Sequence, residues 1–341
     1  MKVLQLSSQV YEVPPGHYGG LEQVIFDLSH CLGAMGHDVY VLCPDGSKGD
    51  KFNVLTPVKG GLHSPEAAAY EAAKASMGDY EILHGHGWGG FQYQWKRDHP
   101  QARVLQTLHG PVTFHTKPVD KPCFVAASQA HADWLKWELN QDARVVHHGI
   151  QLDRYPFCAE KDDYLLFLAR VSEEKGPLDF VKLCRAVKMK GILAGPDQGT
   201  VSGMGYVKAV MDACSDTNGL VRYMGLVANN EQKVELLQKA RCLVSPLRPP
   251  YIEIFGLSSI EGMACGTPIL ATDLGAGREL VVHGKTGAIV RDITLLAEGL
   301  KIALECEPEA CRQRAEEFSR EKMAAEYLAL YRQMVQEDLS W

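Results

Sequence analysis

Short apolar runs alternate with helical patterns along almost the whole chain. In residues 21–35, apolar side chains recur at every third or fourth position and give a helix one apolar face. Apolar runs predict strands at 3–6, 39–43, 82–83, 104–108 and 124–127. A further helix is predicted to begin about Ser128. Because strands and helices alternate, we predict a parallel sheet covered on both faces.

The same alternation starts again after the polar, proline-containing segment 150-IQLDRYPF-157. Helices are predicted at 176–187, 203–214, 230–240 and from about Gly256. Strands are predicted at 164–169, 191–194, 220–224, 242–245 and 268–271. A chain of 341 residues favours two domains. The sequence therefore predicts two doubly wound α/β domains, 1–155 and 156–318, which join near residue 155.

The last segment has the pattern of an amphipathic helix over 319–338. Its large apolar side chains fall on one face: Met323, Tyr327, Leu330, Tyr331 and Met334. Such a face has to be covered by another element.

Composition and charge narrow the choice of partners. The chain has 35 lysines and arginines against 42 aspartates and glutamates, and neither half is basic. Nucleic acid and anionic membrane surfaces are therefore poor default partners. No apolar run approaches the ~18 residues of a membrane helix, and 1-MKVLQLSSQV-10 is too polar for a secretory signal. The ten scattered cysteines include no CxxC, which is typical of reduced thiols in a cytoplasmic protein.

Several common ligand-binding motifs are absent from the sequence. The first predicted strand leads into 7-SSQVYEVPPGHYGG-20, which is not the GxGxxG dinucleotide fingerprint. The similar segments 85-GHGWGG-90 and 203-GMGYVK-208 lack the strand and helix context of that fingerprint. There is no GxxxxGK[ST] and no GxSxG. There is also no Asp-x-Asp, although a metal-bridged diphosphate commonly needs such carboxylates.

Two segments favour an anionic ligand beyond the ends of predicted strands. Gly19-Gly20 precedes the first predicted helix, where small residues let the backbone approach a ligand. An ordinary glycine-rich loop is the alternative. Arg170 and Lys175 follow the first strand of the second domain, and two cations there suit a diphosphate. A solvated loop with the acidic residues 173–174 as partners is the alternative.

Three histidines lie on or after predicted strands. His84 and His86 share a strand face, but spacing places no third ligand, so a metal pair is the less favoured reading. His109, in 107-TLHG-110, ends a strand and is better placed to contact a ligand. A hydrogen-bonded structural histidine is the alternative there.

The segment 251-YIEIFGLSSIEGMACGTP-268 places Glu253 and Glu261 around a Phe-Gly-Leu turn. If a helix starts near Gly256, the N–H groups of residues 255–257 could cradle phosphate oxygens. The two carboxylates could be a general acid/base pair or could grip two parts of one ligand. Alternatively, Glu253 merely complements the helix dipole.

Together these segments resemble one family. The chain is similar to the retaining glycosyltransferases of glycosyltransferase family four. The resemblance rests on Gly19-Gly20, 107-TLHG-110, 147-HHGIQLDRYPF-157, 163-DYLLFLARVSEEKGP-177, Glu253-x7-Glu261 and 262-GMACGTPILATDLGAGRELV-281. It implies the GT-B fold, in which two Rossmann-like domains face each other across a cleft. Pro14-Pro15-Gly16 before Tyr18-Gly19-Gly20, with the DYLLFLAR run, looks closest to a bacterial branch that includes antibiotic-tailoring sugar transferases.

The resemblance implies roles in donor binding. Arg170 and Lys175 would neutralise the donor diphosphate, and the backbone at Gly19 and Gly20 would approach it. Glu261 would accept hydrogen bonds from the ribose hydroxyls. The other implied donor-binding residues are Phe255, Gly256 and Leu257 by their N–H groups, and Leu226 and Val227 near the nucleobase.

The resemblance also implies a reacting centre. Glu253 would bind hydroxyls of the transferred sugar and His109 would face that sugar, so these two are the catalytic candidates. The acceptor would enter the N-terminal domain, where His17, Trp88 and His115 are candidates. The helix at 319–338 would cross back to that domain and help to set the hinge.

We therefore expect a retaining, metal-independent hexosyltransferase without a cofactor. It would move a sugar from a nucleotide diphosphate sugar, with UDP-sugars favoured, to a hydroxyl of a small-molecule, glycan or lipid-linked acceptor. Membrane association is not indicated. The alternatives are an inverting transferase or sugar-nucleotide epimerase, with His17 as a candidate base, and a non-catalytic nucleotide-sugar-binding protein. Departures from the family pattern at Ile254, in 246-PLRPPY-251 and at Arg278 leave the donor open.

Overall fold

The structure is a computed structural model that describes residues 1–56, 80–87, 96–99, 102–110, 123–197, 203–227 and 229–337. The chain forms two compact units, residues 1–150 with 319–341, and residues 151–318. The division falls slightly before the predicted join near residue 155. Tyr155 already belongs to the second unit, where its hydroxyl donates to Glu261.

The first unit is built on a parallel sheet of seven described strands in the order β3-β2-β1-β4-β5-β6-β7. The strands are β1 (Lys2–Leu6), β2 (Asp38–Leu42), β3 (Asn53–Leu55), β4 (Ile82–Gly85), β5 (Arg103–Thr107), β6 (Phe124–Ala126) and β7 (Ala143–Val145). The central strands are almost completely buried. They form the core of this unit because apolar residues occupy both of their faces.

Helix α1 (Gly20–Ala34) follows β1, and α2 (Gln129–Leu139) follows β6. Helix α2 begins where the sequence predicts, because the Ser128 side chain accepts the N–H of His131 and caps it.

The second unit has a parallel sheet of six described strands in the order β10-β9-β8-β11-β12-β13. The strands are β8 (Tyr164–Leu168), β9 (Lys190–Ala194), β10 (Val221–Gly225), β11 (Cys242–Ser245), β12 (Ile269–Thr272) and β13 (Gly287–Val290). The helices are α3 (Pro177–Val187), α4 (Gly203–Ser215), α5 (Asn230–Lys239), α6 (Leu257–Ala264), α7 (Gly277–Leu280), α8 (Leu296–Leu304) and α9 (Pro308–Glu316). The predicted parallel, doubly wound architecture is confirmed.

The C-terminal helix α10 (Arg320–Gln336) makes its contacts within the first unit. Arg320 Nη1 donates to Asp27 Oδ1 of α1 at 3.1 Å; Asp27 is buried and Arg320 is partly buried. The apolar face predicted from the sequence is buried throughout. The role of this helix in setting a hinge stays a prediction. In the part of the chain that the structure describes, no helix is both long and apolar enough to cross a membrane.

Candidate active site

The predicted cations and carboxylates lie beyond the carboxyl ends of two neighbouring strands of the second sheet. The loop after β8 carries Arg170 and the 3-10 turn Glu173–Lys175. The loop after β11 carries Glu253 and leads into α6. Because β8 and β11 are adjacent and parallel, the two loops leave the sheet side by side.

Lys175 is the centre of the first group of side chains. Its Nζ donates to Glu253 Oε2 at 2.6 Å and to Tyr251 Oη at 2.8 Å, and the side chain is buried. Burial alone would lower the pKa of Lys175. The charge of Glu253 and the hydrogen bonds that Lys175 donates to Glu253 and Tyr251 outweigh burial and raise the pKa of Lys175 above its ordinary 10.5. Lys175 is therefore a permanent cation at working pH.

Tyr251 joins both members of this ion pair. Its hydroxyl donates to Glu253 Oε1 at 3.4 Å, while its oxygen accepts from Lys175. Burial raises the pKa of Tyr251, and the charge of Glu253 raises it further, so the phenol stays neutral. Tyr251 belongs to 246-PLRPPY-251, the segment in which the sequence departs from the family pattern.

The loop after β12 fixes the backbone of Glu253. The Glu253 N–H donates to Leu274 O at 3.0 Å, and Glu253 O accepts from the Ala276 N–H at 2.8 Å. Gly275 has a φ of +96°, and a Cβ on it would lie 2.2 Å from Glu253 O. Any larger residue at 275 would therefore displace Glu253 or strain the loop.

Arg170, the second predicted cation, is half-buried. Its Nη2 lies 3.6 Å from Glu174 Oε1. Arg170 therefore has the acidic loop partner that the sequence offers as the alternative to a bound diphosphate. An exposed or half-exposed pair at this separation is weak. Arg170 can exchange Glu174 for a phosphate oxygen at small cost.

Glu261 is the centre of a separate group. Its Oε1 accepts from the Tyr155 hydroxyl and from Lys233 Nζ, both at 2.6 Å, and the carboxylate is buried. Lys233 belongs to α5 and retains more exposure than Glu261. Glu253 and Glu261 thus have different partners in the structure, and they do not share a proton with each other.

The helix that follows Glu253 begins one residue later than predicted. Gly256, with a φ of 91°, is its N-cap and Leu257 is its first residue. Phe255 precedes the cap and its side chain is fully buried. The first helical N–H therefore belongs to Leu257. Together with the N–H of the N-cap Gly256, it lies at the positive end of the helix dipole.

The Gly-Gly segment of the first unit stands at the start of α1. Gly19 is the N-cap of α1, and Gly20 is its first residue and is exposed. A Cβ at Gly19 would lie 2.7 Å from Glu22 Oε2 and 2.8 Å from Pro15 Cβ. The glycine at 19 is therefore needed by the local packing around the buried Glu22, whatever ligand approaches it.

The histidines of the first unit form a hydrogen-bonded set. Both ring nitrogens of His84 and of His86 lie within hydrogen-bond distance of neighbouring side chains, among them His109. Burial lowers the pKa of each of the three well below 6.5, and the neighbouring histidines lower it further. Among the described residues no group of three metal-binding side chains occurs. We therefore prefer a hydrogen-bonded structural role for His84 and His86 to a metal pair.

The remaining predicted residues are scattered. Leu226 and Val227 follow β10, with Leu226 exposed and Val227 buried. His17 is exposed on the loop before α1. Trp88 and His115 lie outside the described residues.

Two family models match consecutive parts of the chain. Residues 18–154 match the family described as Glycosyltransferase Family 4, and residues 154–322 match Glycosyl transferases group 1. The chain is a GT-B glycosyltransferase of the family-four type. The resemblance seen in the sequence and the expectation of an enzyme that uses a nucleotide-sugar donor are thereby confirmed.

Relatives of this glycosyltransferase span nearly its whole length. The glycogen synthase of Mycobacterium tuberculosis (strain H37Rv) is 23% identical over 387 residues, which cover 96% of this chain and 91% of that protein. AviGT4, a glycosyltransferase involved in Avilamycin A biosynthesis, has a similar structure, with a TM-score of 0.79, 23% identity and coverage of 98% of both chains. Anabaena Alr3699/HepE in complex with UDP and glucose has a TM-score of 0.70, 16% identity, and coverage of 97% of this chain and 99% of that chain.

Three contacts of the glycosyltransferase were not foreseen in the sequence. Tyr155 and Lys233 hold Glu261, and Tyr251 holds the Lys175–Glu253 pair. The sequence indicates Tyr251 only as part of 246-PLRPPY-251, which departs from the family pattern. Tyr155 lies in 147-HHGIQLDRYPF-157, which carries the family resemblance but no assigned chemical role, and Lys233 lies outside these segments, so the sequence gives no signal for their contacts with Glu261.

Proposed function

We propose that this glycosyltransferase is a retaining, metal-independent hexosyltransferase that transfers a sugar from a nucleotide diphosphate sugar, UDP-sugar favoured, to a hydroxyl acceptor. The Lys175–Glu253 pair, with Tyr251, next to the start of α6 is the observation that carries the proposal. The complex of HepE with UDP and glucose supports UDP as the first donor nucleotide to test.

Loss of the nucleoside diphosphate builds up negative charge on the leaving group. Lys175 supplies a buried cation that stays charged, and Arg170 a second cation with a weakly held partner. The N–H groups at Gly256 and Leu257 add the positive end of a helix dipole. Fixed charges of this kind stabilise the transition state more than the ground state. They supply the neutralisation that a metal provides in enzymes with Asp-x-Asp, which this sequence lacks.

The partners of Glu253 favour a binding role over attack on the sugar. The carboxylate accepts from Lys175 and Tyr251, and both hydrogen bonds reduce its strength as a nucleophile or base. We assign Glu253 to hydroxyls of the transferred sugar and Glu261 to the ribose. Front-face displacement with retention needs no enzyme nucleophile and agrees with this assignment.

The first unit receives the remaining roles in the proposal. His109, neutral because of its burial, would contact the transferred sugar, and the backbone at Gly19-Gly20 would approach the diphosphate. The acceptor, a small molecule, a glycan or a lipid-linked sugar, would bind this unit, with His17 as the one described candidate.

Slow hydrolysis of the donor tests the reaction type without a known acceptor. With water in place of the acceptor, we expect an α-linked UDP-hexose in excess EDTA to release sugar whose first-formed anomer is α, as seen by proton NMR before mutarotation. Loss of activity in EDTA with recovery on Mn²⁺ or Mg²⁺ would contradict metal independence. A β anomer would favour an inverting enzyme. Nucleotide binding without any turnover would favour a binding protein.

Glu261→Gln should weaken the binding of both free nucleoside diphosphate and intact donor. The expected loss of binding free energy is about 1–3 kcal/mol, the range for a hydrogen bond to a charged group. The reason is that the ribose is common to both ligands. Calorimetric titration of the two ligands measures the effect. Glu316→Gln, an exposed carboxylate paired with Arg312 in the same unit, is the matched control and should change neither affinity. Unchanged nucleotide affinity in Glu261→Gln would remove Glu261 from the ribose site.

A further inference from the structure

A continuous row of hydrogen-bonded side chains runs through the first unit from His109 to helix α10. Its members, in order, are His109, His86, Gln5, Tyr331, His84, Thr107 and Tyr327. Gln5, His84 and Thr107 lie on β1, β4 and β5, and the two tyrosines lie on α10. His86 follows β4 and His109 follows β5. All are buried except His109, which keeps some exposure. His109, the residue assigned to the sugar, is therefore the one partly exposed member of the row.

The half of the row nearer to His109 contains three contacts. His109 Nε2 lies 2.8 Å from His86 Nδ1, and His86 Nε2 lies 2.6 Å from Gln5 Oε1. Gln5 Nε2 donates to Tyr331 Oη at 3.2 Å. Gln5 thus bridges the histidine pair and helix α10.

The other half contains three contacts as well. Tyr331 Oη lies 2.7 Å from His84 Nδ1, and His84 Nε2 lies 2.6 Å from Thr107 Oγ1. Thr107 Oγ1 lies 2.7 Å from Tyr327 Oη.

The Gln5 amide, in the orientation that it has in the structure, determines the direction of the hydrogen bonds that lead to His109. An amide oxygen only accepts and an amide nitrogen only donates. His86 must therefore carry its proton on Nε2 and accept at Nδ1, which makes His109 Nε2 the donor. On the other side, Tyr331 accepts from Gln5 and has its own O–H to donate to His84 Nδ1, 2.7 Å away.

All three histidines of the row are neutral, because burial lowers the pKa of each well below 6.5. A neutral imidazole has one donor and one acceptor nitrogen. With the His109 proton held on Nε2 by His86, its Nδ1 is left as the acceptor. A sugar hydroxyl can donate to an acceptor nitrogen in this state.

We propose that Tyr331 is a positioning residue for His109, acting through Gln5 and His86 to hold His109 in the Nε2–H tautomer with Nδ1 as an acceptor for a sugar hydroxyl. This inference rests on the proposed role of His109. In the structure Tyr331 Oη accepts from Gln5 Nε2, so the amide presents Oε1 to His86 Nε2. Without that acceptor the amide can turn over, and the His86 and His109 tautomers are then no longer fixed.

Helix α10 is held firmly enough to place this phenol. Tyr327 and Tyr331 are completely buried. Near the end of the helix, Arg103 Nε of β5 donates to Met334 O at 3.0 Å. Near its start, Arg320 is paired with Asp27. The C-terminal helix would therefore contribute to the reaction through the tautomer of His109 as well as through packing.

Tyr331→Phe and Tyr327→Phe are a matched pair of variants. Each removes one buried phenol hydroxyl from α10. Only Tyr331 contacts Gln5, whereas Tyr327 ends the row and leaves the contacts from Gln5 to His109 intact. A general loss of stability would affect both variants, and thermal unfolding of each measures it.

Long-range proton–nitrogen NMR of ¹⁵N-histidine-labelled protein reads the tautomers directly, with His109→Gln used to assign the signals. We expect the Nε2–H tautomer of His109 in the wild type and in Tyr327→Phe, and a mixture with Nδ1–H in Tyr331→Phe. We also expect kcat for sugar release to fall about tenfold in Tyr331→Phe, as losses of outer hydrogen-bond partners do elsewhere, with unchanged affinity for UDP.

An unchanged His109 tautomer in Tyr331→Phe would overturn the inference whatever the rate of the reaction. A changed tautomer with an unchanged kcat would overturn the claim that Tyr331 acts on the reaction. Equal losses of kcat in Tyr331→Phe and Tyr327→Phe would mean that the hydroxyl of Tyr331 acts on the reaction only through packing of α10. A wild-type protein that turns over no nucleotide sugar would count against the proposed function, and the NMR result would still decide whether the row fixes His109.

Discussion

Replacing Lys175 by methionine should lower the affinity for nucleoside diphosphates about 10- to 100-fold, as expected for losing a buried charge-assisted hydrogen bond. Turnover of the donor should fall further, by about 10²–10³, because charge on the leaving group grows in the transition state. Methionine keeps much of the length and apolar character of the side chain. Glu253 would lose its counter-charge and would then repel the diphosphate.

Titration calorimetry with UDP and a rate assay on UDP-hexose measure these two effects. Lys182→Met is the matched control, because Lys182 is also paired with a carboxylate in the second unit, but its side chain is 71% exposed and it lies on α3. It should behave as the wild type. Normal UDP affinity in Lys175→Met would mean that the diphosphate binds elsewhere.

Glu253→Gln should separate sugar transfer from nucleotide binding. We expect turnover of the donor to fall about 100-fold or more, because the sugar hydroxyls lose a charged acceptor while the shape of the side chain is kept. Affinity for free UDP should stay the same or increase. The reason is that Lys175 would no longer be neutralised by Glu253 and would offer its full charge to the diphosphate.

The same pair of assays measures this prediction, with Glu316→Gln again as the control. A Glu253→Gln variant that binds the intact donor normally and loses only a pH-dependent proton step would show that Glu253 is a general acid or base. A loss of UDP affinity equal to the loss of turnover would show that Glu253 belongs to the nucleotide site.

The sequence predicts the central strands and the parallel arrangement of both sheets well, because most residues of these strands are apolar. The three strands that it misses are all at sheet edges: β3, β7 and β13. β3 and β7 have three residues each and are partly exposed, so their apolar pattern is weak, while β13 is a buried strand of only four residues. The sequence also does not predict the helices α7, α8 and α9, whereas it does predict α10.

In the candidate site, too, the sequence places some residues correctly and does not indicate others. Lys175, Glu253 and Glu261 follow strand ends or a helix start, and local sequence is enough to place them there. Their partners come from other elements: Lys233 reaches Glu261 from α5, and Leu274 and Ala276 of the loop after β12 bond the backbone of Glu253. Such contacts depend on tertiary packing, which the spacing of residues along one segment does not encode.

The tyrosines of α10 illustrate a further limit. Periodicity identifies Tyr327 and Tyr331 as apolar positions, and both are buried as that pattern requires. The pattern cannot show that their hydroxyls connect to His84, Thr107 and Gln5, because the other side chains are distant in sequence. His109, which the family resemblance assigns to the sugar, is linked through His86 to Gln5, and neither residue belongs to its own motif.

The central claim is that the donor nucleotide binds the second unit between the Lys175–Glu253 pair and Glu261. A crystal structure of the protein soaked with UDP tests it most directly. We predict diphosphate oxygens within hydrogen-bond distance of Lys175 Nζ and of the N–H groups at Gly256 and Leu257, with the ribose hydroxyls on Glu261. Density for UDP that leaves Lys175 paired only with Glu253 and Glu261 only with Tyr155 and Lys233 would contradict the claim.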